Sequence, residues 1–161
     1  MFGFLTLGTT MTLTDLAIKT KIDGQNDEVF PRDLEGTKGR VKLYKSHNDG
    51  FAFGFLRGTK IVKMIPLCFI SGIAGIWTYV MSRKGKLVEK IALTLVLAGG
   101  ASNLIDRLTR GYVVDYLCIQ WKALKNMVFN LADIWIIAGS VLLILKNSLI
   151  PERGIKKKTR M

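Results

Sequence analysis

The chain has little histidine and little cysteine, and this scarcity excludes several kinds of catalytic site. Among its 161 residues are one histidine, His47, and two cysteines, Cys68 and Cys118. A His-Glu-x-x-His zinc site needs two histidines and is excluded, and a serine triad would have to use His47. The cysteines show no ligand spacing, so we interpret them as free thiols in the core. The sequence therefore predicts neither a metal nor another cofactor.

Acidic residues are also scarce, with 12 against 24 basic ones, and the formal charge is +12. Such a charge can indicate nucleic-acid binding. Here the basic residues lie between and after apolar runs, without a groove-reading motif, so contact with anionic lipid headgroups is the simpler interpretation. Gly-x-Ser-x-Gly and phosphate-binding Gly-x-x-x-x-Gly-Lys-Ser/Thr motifs are absent as well.

Long apolar segments dominate the rest of the chain, in which hydrophobic residues make up 49%. Several have about the 20 residues needed to cross a bilayer, and a soluble domain of this size could not bury them all. We predict an α-helical membrane protein with four transmembrane helices. The first is the weakest, because it is threonine-rich and carries Asp15 and Lys19, but it lacks the features of a cleaved signal peptide. The predicted helices span residues 2–22, 61–80, 87–107 and 127–146.

The segment between the first two predicted helices, residues 23–58, has the pattern of a β-hairpin. Residues 41–44 alternate weakly, and Asn48-Asp49-Gly50 is a turn signal. Three phenylalanines at a period of two follow the turn, namely Phe51, Phe53 and Phe55. Their rings share one face and have two interpretations: they form a lid that contacts substrate acyl chains, or they anchor the loop to headgroups or helices.

Basic residues predict the orientation in the membrane. Four passes place both termini on one side, and the basic tail 151–161 and the connection with Arg83, Lys84 and Lys86 are expected to be cytoplasmic. The hairpin segment is then extracytoplasmic. Basic residues near the start of the second helix run against the rule, but the inner segments are denser in lysine and arginine.

Two aspartates, Asp115 and Asp133, lie in or beside the most apolar segments. A carboxylate at the centre of a membrane helix costs about 2.5–3.5 kcal/mol on insertion scales, so its presence indicates a function. In the predicted topology both lie in the outer leaflet, with Asp133 six residues, or about 9 Å, along the fourth helix. Two neighbouring carboxylates share a proton, so one can accept a proton from water while the other donates. This is the arrangement of an aspartyl protease.

Further polar residues accompany this pair. Asn103 and Arg107 share one helix face, and Asn130 shares another with the second aspartate. Two alternatives stay open: Asn130 caps the fourth helix, and Arg107 extends to the lipid headgroups. Asp106 and Arg110 are interpreted as a local ion pair.

Four separated blocks of sequence recur in the order found in one known family. They are Asp15-Leu16-Ala17-Ile18-Lys19, residues 47–53, residues 99–107 with 111–116, and Phe129-Asn130-Leu131-Ala132-Asp133. Together they resemble lipoprotein signal peptidase, the signal peptidase II family of bacterial membrane aspartyl proteases. Departures are Leu16 where the family usually has Gln, Ser102 where Gly is frequent, and Tyr116 where Phe is.

The resemblance implies that Asp115 and Asp133 are the catalytic dyad. It also implies five residues that support the site, hold the substrate or steady the oxyanion: Asn48, Gly50, Asn103, Arg107 and Asn130. The expected substrate is a prolipoprotein cut before its diacylglyceryl-modified cysteine, and the expected location is the bacterial cytoplasmic membrane, with the site facing outward. We expect a monomer with membrane lipids as partners and no nucleic acid. A proton-coupled carrier and a non-enzymatic assembly factor remain as alternatives.

Overall fold

The computed structural model describes residues 1–50 and 61–149, in which four long helices support a small sheet. Two short 3₁₀ segments, Asp27–Val29 and Lys122–Asn126, complete the described elements. The helices α1 to α4 are Phe2–Asp23, Ile61–Met81, Leu87–Thr109 and Leu131–Leu149, and the strands β1 to β3 are Arg32–Asp33, Val41–Asn48 and Val113–Ile119.

Helix α3 is the centre of the bundle and packs against each of the other three helices. Its approach to α4 is close because α3 has a glycine at the contact. A Cβ on Gly99 would collide with the backbone carbonyl of Ala132. One turn further along α3 is Asn103, and the residue after Ala132 is Asp133. The small residue at this crossing therefore places two of the predicted site residues opposite each other.

Three of the described helices, α2, α3 and α4, are long and apolar enough to cross a membrane. This confirms a helical membrane protein, but the prediction of four spans is not confirmed. Most large apolar side chains of α2 are exposed, as a lipid-facing surface requires. Cys68 belongs to this exposed surface, so its predicted place in the core is wrong, whereas Cys118 is buried; both are free thiols.

The sheet joins segments that are far apart in the sequence. Strand β2 lies in the middle and is antiparallel to β1 and β3. Strand β3, between α3 and α4, was not predicted, because its partner lies about 70 residues earlier and pairing at that separation leaves no local signal. The predicted hairpin arm with Phe51, Phe53 and Phe55 lies outside the described residues.

Helix α4 begins at Leu131, four residues later than the predicted start at residue 127. The preceding residues are extended, and Phe129 exchanges backbone hydrogen bonds of 2.7 and 2.8 Å with Leu117 of β3. The apolar side chains before Leu131 are compatible with a helix or with an extended segment, and the backbone pairing with β3 selects the extended one. Asp133 consequently lies in the first turn of α4, so its predicted depth of six residues along the helix is wrong.

Candidate active site

Asp115 lies in β3, with its carboxylate held at both oxygens by amide donors. Oδ1 accepts a 2.7 Å hydrogen bond from Asn130 Nδ2, and Oδ2 accepts a 3.1 Å bond from Asn48 Nδ2. The register of the sheet places Ser46 opposite Asp115, so Asn48 is the diagonal neighbour on the same face. The side chain is only 6% exposed. The β2–β3 pairing thus brings Asn48 to the aspartate.

Asp133 lies in the first turn of α4 and is also held at both carboxylate oxygens. Oδ1 accepts a 2.8 Å hydrogen bond from Asn103 Nδ2, and Oδ2 accepts a 3.1 Å bond from the backbone N–H of Asn130. Asn130 Oδ1 in turn accepts a 2.9 Å bond from the backbone N–H of Asp133. This reciprocal pair is a capping box formed by Asn and Asp.

Asn130 both caps α4 and contributes to the site, two roles that the sequence had left as alternatives. As the N-cap it starts α4, and with its amide Nδ2 it binds Asp115. It is completely buried. Asn130 binds the Asp115 carboxylate through its side chain and the Asp133 carboxylate through its backbone N–H, so it fixes the two groups relative to each other.

Burial, and after it the negative charge of Asp133, raise the pKa of Asp115 to about 6. The hydrogen bonds from Asn48 and Asn130 favour the ionised form and oppose the increase. The charge of Asp133 therefore acts on the Asp115 carboxylate, as expected for two neighbouring acidic groups. One group of the pair can thus hold a proton near neutral pH.

Arg107 and Gly50 hold the 48–50 turn against α3. Arg107 Nη2 donates a 3.1 Å hydrogen bond to the carbonyl of Gly50, and Nη1 donates a 3.2 Å bond to the carbonyl of Asn103. The backbone N–H of Gly50 donates to Asn48 Oδ1 at 3.1 Å. Arg107 is 9% exposed, so it does not extend to the headgroups as one alternative proposed. All seven predicted dyad and support residues are therefore brought together.

A buried polar cluster behind the site was not predicted as part of it. Its members connect α1 to the site residues through α3 and β3; they are Asp15, Lys19, Ser102, Asp106 and Tyr116, each at most 2% exposed. Asp106 contacts Arg110 at 3.6 Å, as predicted, but its other oxygen lies 3.3 Å from Lys19 Nζ. A signal was present in the sequence, because Asp15 and Lys19 are four residues apart in an apolar segment.

His47 lies in β2 and contacts residues outside the aspartate pair. His47 Nε2 contacts Asp23 Oδ1 at 2.7 Å, and its ring packs on Tyr112 with centroids 4.1 Å apart. Within residues 1–50 and 61–149, no three His, Cys, Asp or Glu side chains are grouped to hold a metal ion.

Residues 7–149 match the sequence model of the family described as signal peptidase (SPase) II. The chain belongs to the signal peptidase II family. The resemblance inferred from the four blocks is thereby confirmed, and neither a carrier nor an assembly factor is favoured. Family and apolar helices together indicate a multi-pass bacterial membrane protein.

Individual relatives agree with this assignment. The lipoprotein signal peptidase of Fusobacterium nucleatum is 35% identical over 109 residues, which cover 68% of this chain and 65% of that protein, slightly less than two thirds of its length. That of Symbiobacterium thermophilum is 34% identical over 125 residues, 76% of this chain and 80% of that protein. A solved structure described as a bacterial membrane enzyme shares the fold, with a TM-score of 0.74 at 20% identity, covering 97% of this chain and 96% of that chain.

Proposed function

We propose that this chain is a membrane aspartic endopeptidase that removes signal peptides from bacterial prolipoproteins, cutting before the diacylglyceryl-modified cysteine. Asp115 and Asp133 form the catalytic pair. The observation that carries the proposal is the joint positioning of the two carboxylates: each of their four oxygens accepts a hydrogen bond, and Asn130 contacts both groups. Such fixed geometry is what general acid–base catalysis requires.

The chemistry follows from a single proton shared by the pair. The ionised aspartate accepts a proton from water as the water oxygen attacks the scissile carbonyl carbon. The protonated aspartate stabilises the developing oxyanion by donating a hydrogen bond. When the C–N bond breaks, the departing amine takes the proton that the other aspartate accepted from water, which returns the pair to its starting state with one shared proton. The Asn48 amide carries two N–H donors, so it can hold Asp115 with one hydrogen and direct the other towards the substrate, whereas Asn103 holds Asp133 in position.

The proposal includes α1 as a fourth membrane-spanning helix, although α1 is threonine-rich and is not one of the three described helices that are long and apolar enough to cross a membrane. Its two charged residues inside the apolar stretch, Asp15 and Lys19, are fully buried and paired with each other at 2.8 Å. Four of its threonine hydroxyls donate to the carbonyl four residues earlier, namely those of Thr6, Thr12, Thr14 and Thr20. Polar groups satisfied in this way are compatible with a lipid environment.

With four passes, the ends of the helices that carry the site lie at one membrane face. The basic connection with Arg83, Lys84 and Lys86 precedes α3, at the end of that helix opposite the site, which supports an extracytoplasmic site in the cytoplasmic membrane. The topology can be tested with a tag placed after Met161. In intact cells, with any outer membrane removed, added protease should leave the tag uncut, and digestion would contradict the topology.

The function can be tested by incubating the purified chain in lipid or detergent with a diacylglyceryl-modified precursor. We expect a product whose N-terminus is the modified cysteine, identified by mass spectrometry. Asp115→Asn and Asp133→Asn should each lower the rate by at least about 10³-fold, because the acid and base roles each contribute about 10²- to 10⁴-fold. Full activity in either variant, in protein that is still inserted and folded, would refute the catalytic pair.

A further inference from the structure

The ammonium of Lys19 lies in the polar cluster behind the site and is completely buried. An ammonium group has three N–H donors and no acceptor, so every close polar neighbour must offer it an oxygen. Four oxygens surround Nζ: Asn103 Oδ1 at 2.7 Å, Asp15 Oδ2 at 2.8 Å, Ser102 Oγ at 3.2 Å and Asp106 Oδ2 at 3.3 Å.

The contact with Asn103 has a consequence for the catalytic pair. Because Lys19 can only donate, the amide of Asn103 must present its oxygen to Lys19 and its NH₂ group to the opposite side. On that side Asn103 Nδ2 donates to Asp133 Oδ1 at 2.8 Å. Without the ammonium, a rotation of the amide by half a turn would place an oxygen against the carboxylate. The orientation of Asn103 is thus fixed by the chemistry of Lys19.

We infer that Lys19 is a positioning residue of the active site, which acts through Asn103 to hold Asp133 in its working orientation. The inference rests on the proposed function. A second contact from the same cluster reinforces it. The hydroxyl of Tyr116 donates to Asp15 Oδ1 at 2.9 Å and accepts the backbone N–H of Leu131, the first residue of α4, at 3.2 Å. The pair of charges on α1 therefore also supports the helix end that carries Asp133.

The environment keeps the ammonium in place. The negative charges of Asp15 and Asp106 are balanced by Lys19 and by Arg110, which lies 3.6 Å from Asp106. Ser102 accepts from Lys19 and donates to Asp15 at 2.6 Å, so its single hydroxyl satisfies both partners. A purely structural account of Lys19, as a buried ion pair that stabilises α1 against α3, predicts the same contacts but a different result in a double-mutant cycle.

The cycle compares Lys19→Met, Asn103→Ala and the double variant in the full-length chain, with a lipidated precursor as substrate. If Lys19 acts through Asn103, each single variant lowers kcat by about 10²-fold, the size of effect expected from a misplaced catalytic group. The double variant is then no worse than Asn103→Ala alone, and KM stays within about twofold of wild type, since the variants misplace Asp133 and leave the substrate contacts intact. Losses that multiply to about 10⁴-fold would overturn the inference.

Ser102→Ala is the matched control, because it removes a neighbour of the same ammonium and leaves the Lys19–Asn103 bond in place. When Ser102→Ala is combined with Lys19→Met, the fold-losses in kcat of the two single variants should simply multiply. If Lys19→Met does not fold, Lys19→Met/Asp15→Asn removes one charge of each sign, keeps the cluster neutral and should show the same loss and the same coupling to Asn103. Failure of both variants to fold would show that Lys19 holds the bundle together and would overturn the inference. Cleavage by Asp133→Asn at the wild-type rate would instead refute the proposed function itself.

Discussion

The two tasks of Asn130 can be separated experimentally, because one uses the side-chain oxygen and the other the NH₂ group. Asn130→Ala removes the cap acceptor for the Asp133 N–H and the donor to Asp115 Oδ1. Asn130→Ser retains a good N-cap but has no amide to reach Asp115. The bond from the backbone N–H of residue 130 to Asp133 Oδ2 is kept in both variants, since no side-chain atom of residue 130 takes part.

The expected magnitudes differ between the two variants. Loss of an N-cap costs about 1 kcal/mol, and a buried carboxylate oxygen left without a donor costs about 1–3 kcal/mol. Asn130→Ala should therefore lose about 2–4 kcal/mol of unfolding free energy, and Asn130→Ser about 1 kcal/mol less than that. Both should lose about 10²-fold in kcat, because both release Asp115 from its fixed position.

The pH dependence gives an independent check on the lost donor. The hydrogen bond from Asn130 lowers the pKa of Asp115, so its removal should raise that pKa above the wild-type value of about 6. The acid side of the rate profile should then move to higher pH in both variants. Thermal unfolding in micelles and initial rates across pH measure the two effects. Equal stability of the Ala and Ser variants, or full activity of Asn130→Ser, would refute the division of roles.

Three further predictions follow from the described geometry. The pKa of Asp115 is about 6 in the folded protein against an ordinary value of 3.8, so between about pH 4 and 6 the native state binds more protons than the unfolded state and loses stability as the pH rises. Asp115→Asn avoids this loss. Its unfolding free energy should therefore rise relative to wild type between about pH 4 and 6 and stay higher by at most about 3 kcal/mol above pH 6, measured by unfolding at several pH values. Gly99→Ala should cost about 1–3 kcal/mol and most of the activity by forcing α3 from α4, whereas Gly72→Ala, with no atom within 4 Å of the added Cβ, should change neither; equal effects would contradict the packing argument. Chelation with EDTA should leave turnover unchanged, and a loss that Zn²⁺ restores would contradict an aspartic mechanism.

The amino-acid sequence alone determined the class of the protein and most of the candidate site. Runs of about 20 apolar residues predict membrane helices because a bilayer imposes that length on any spanning segment. Carboxylates near such runs indicate function because placing a carboxylate in an apolar environment costs free energy. For these reasons Asp115 and Asp133, and the asparagines near them, could be selected without coordinates.

The tertiary structure decided what depends on contacts between distant residues. The late start of α4 at Leu131 follows from backbone bonds between Phe129 and Leu117, which apolar periodicity cannot reveal. In the sequence, Lys19 was visible as a charged residue that weakened α1 and as the end of one family block. Its role could be inferred only from the oxygens that α3 brings to its ammonium. Composition records that a charge is present, but only the fold determines which partners surround it and hence what the charge can do.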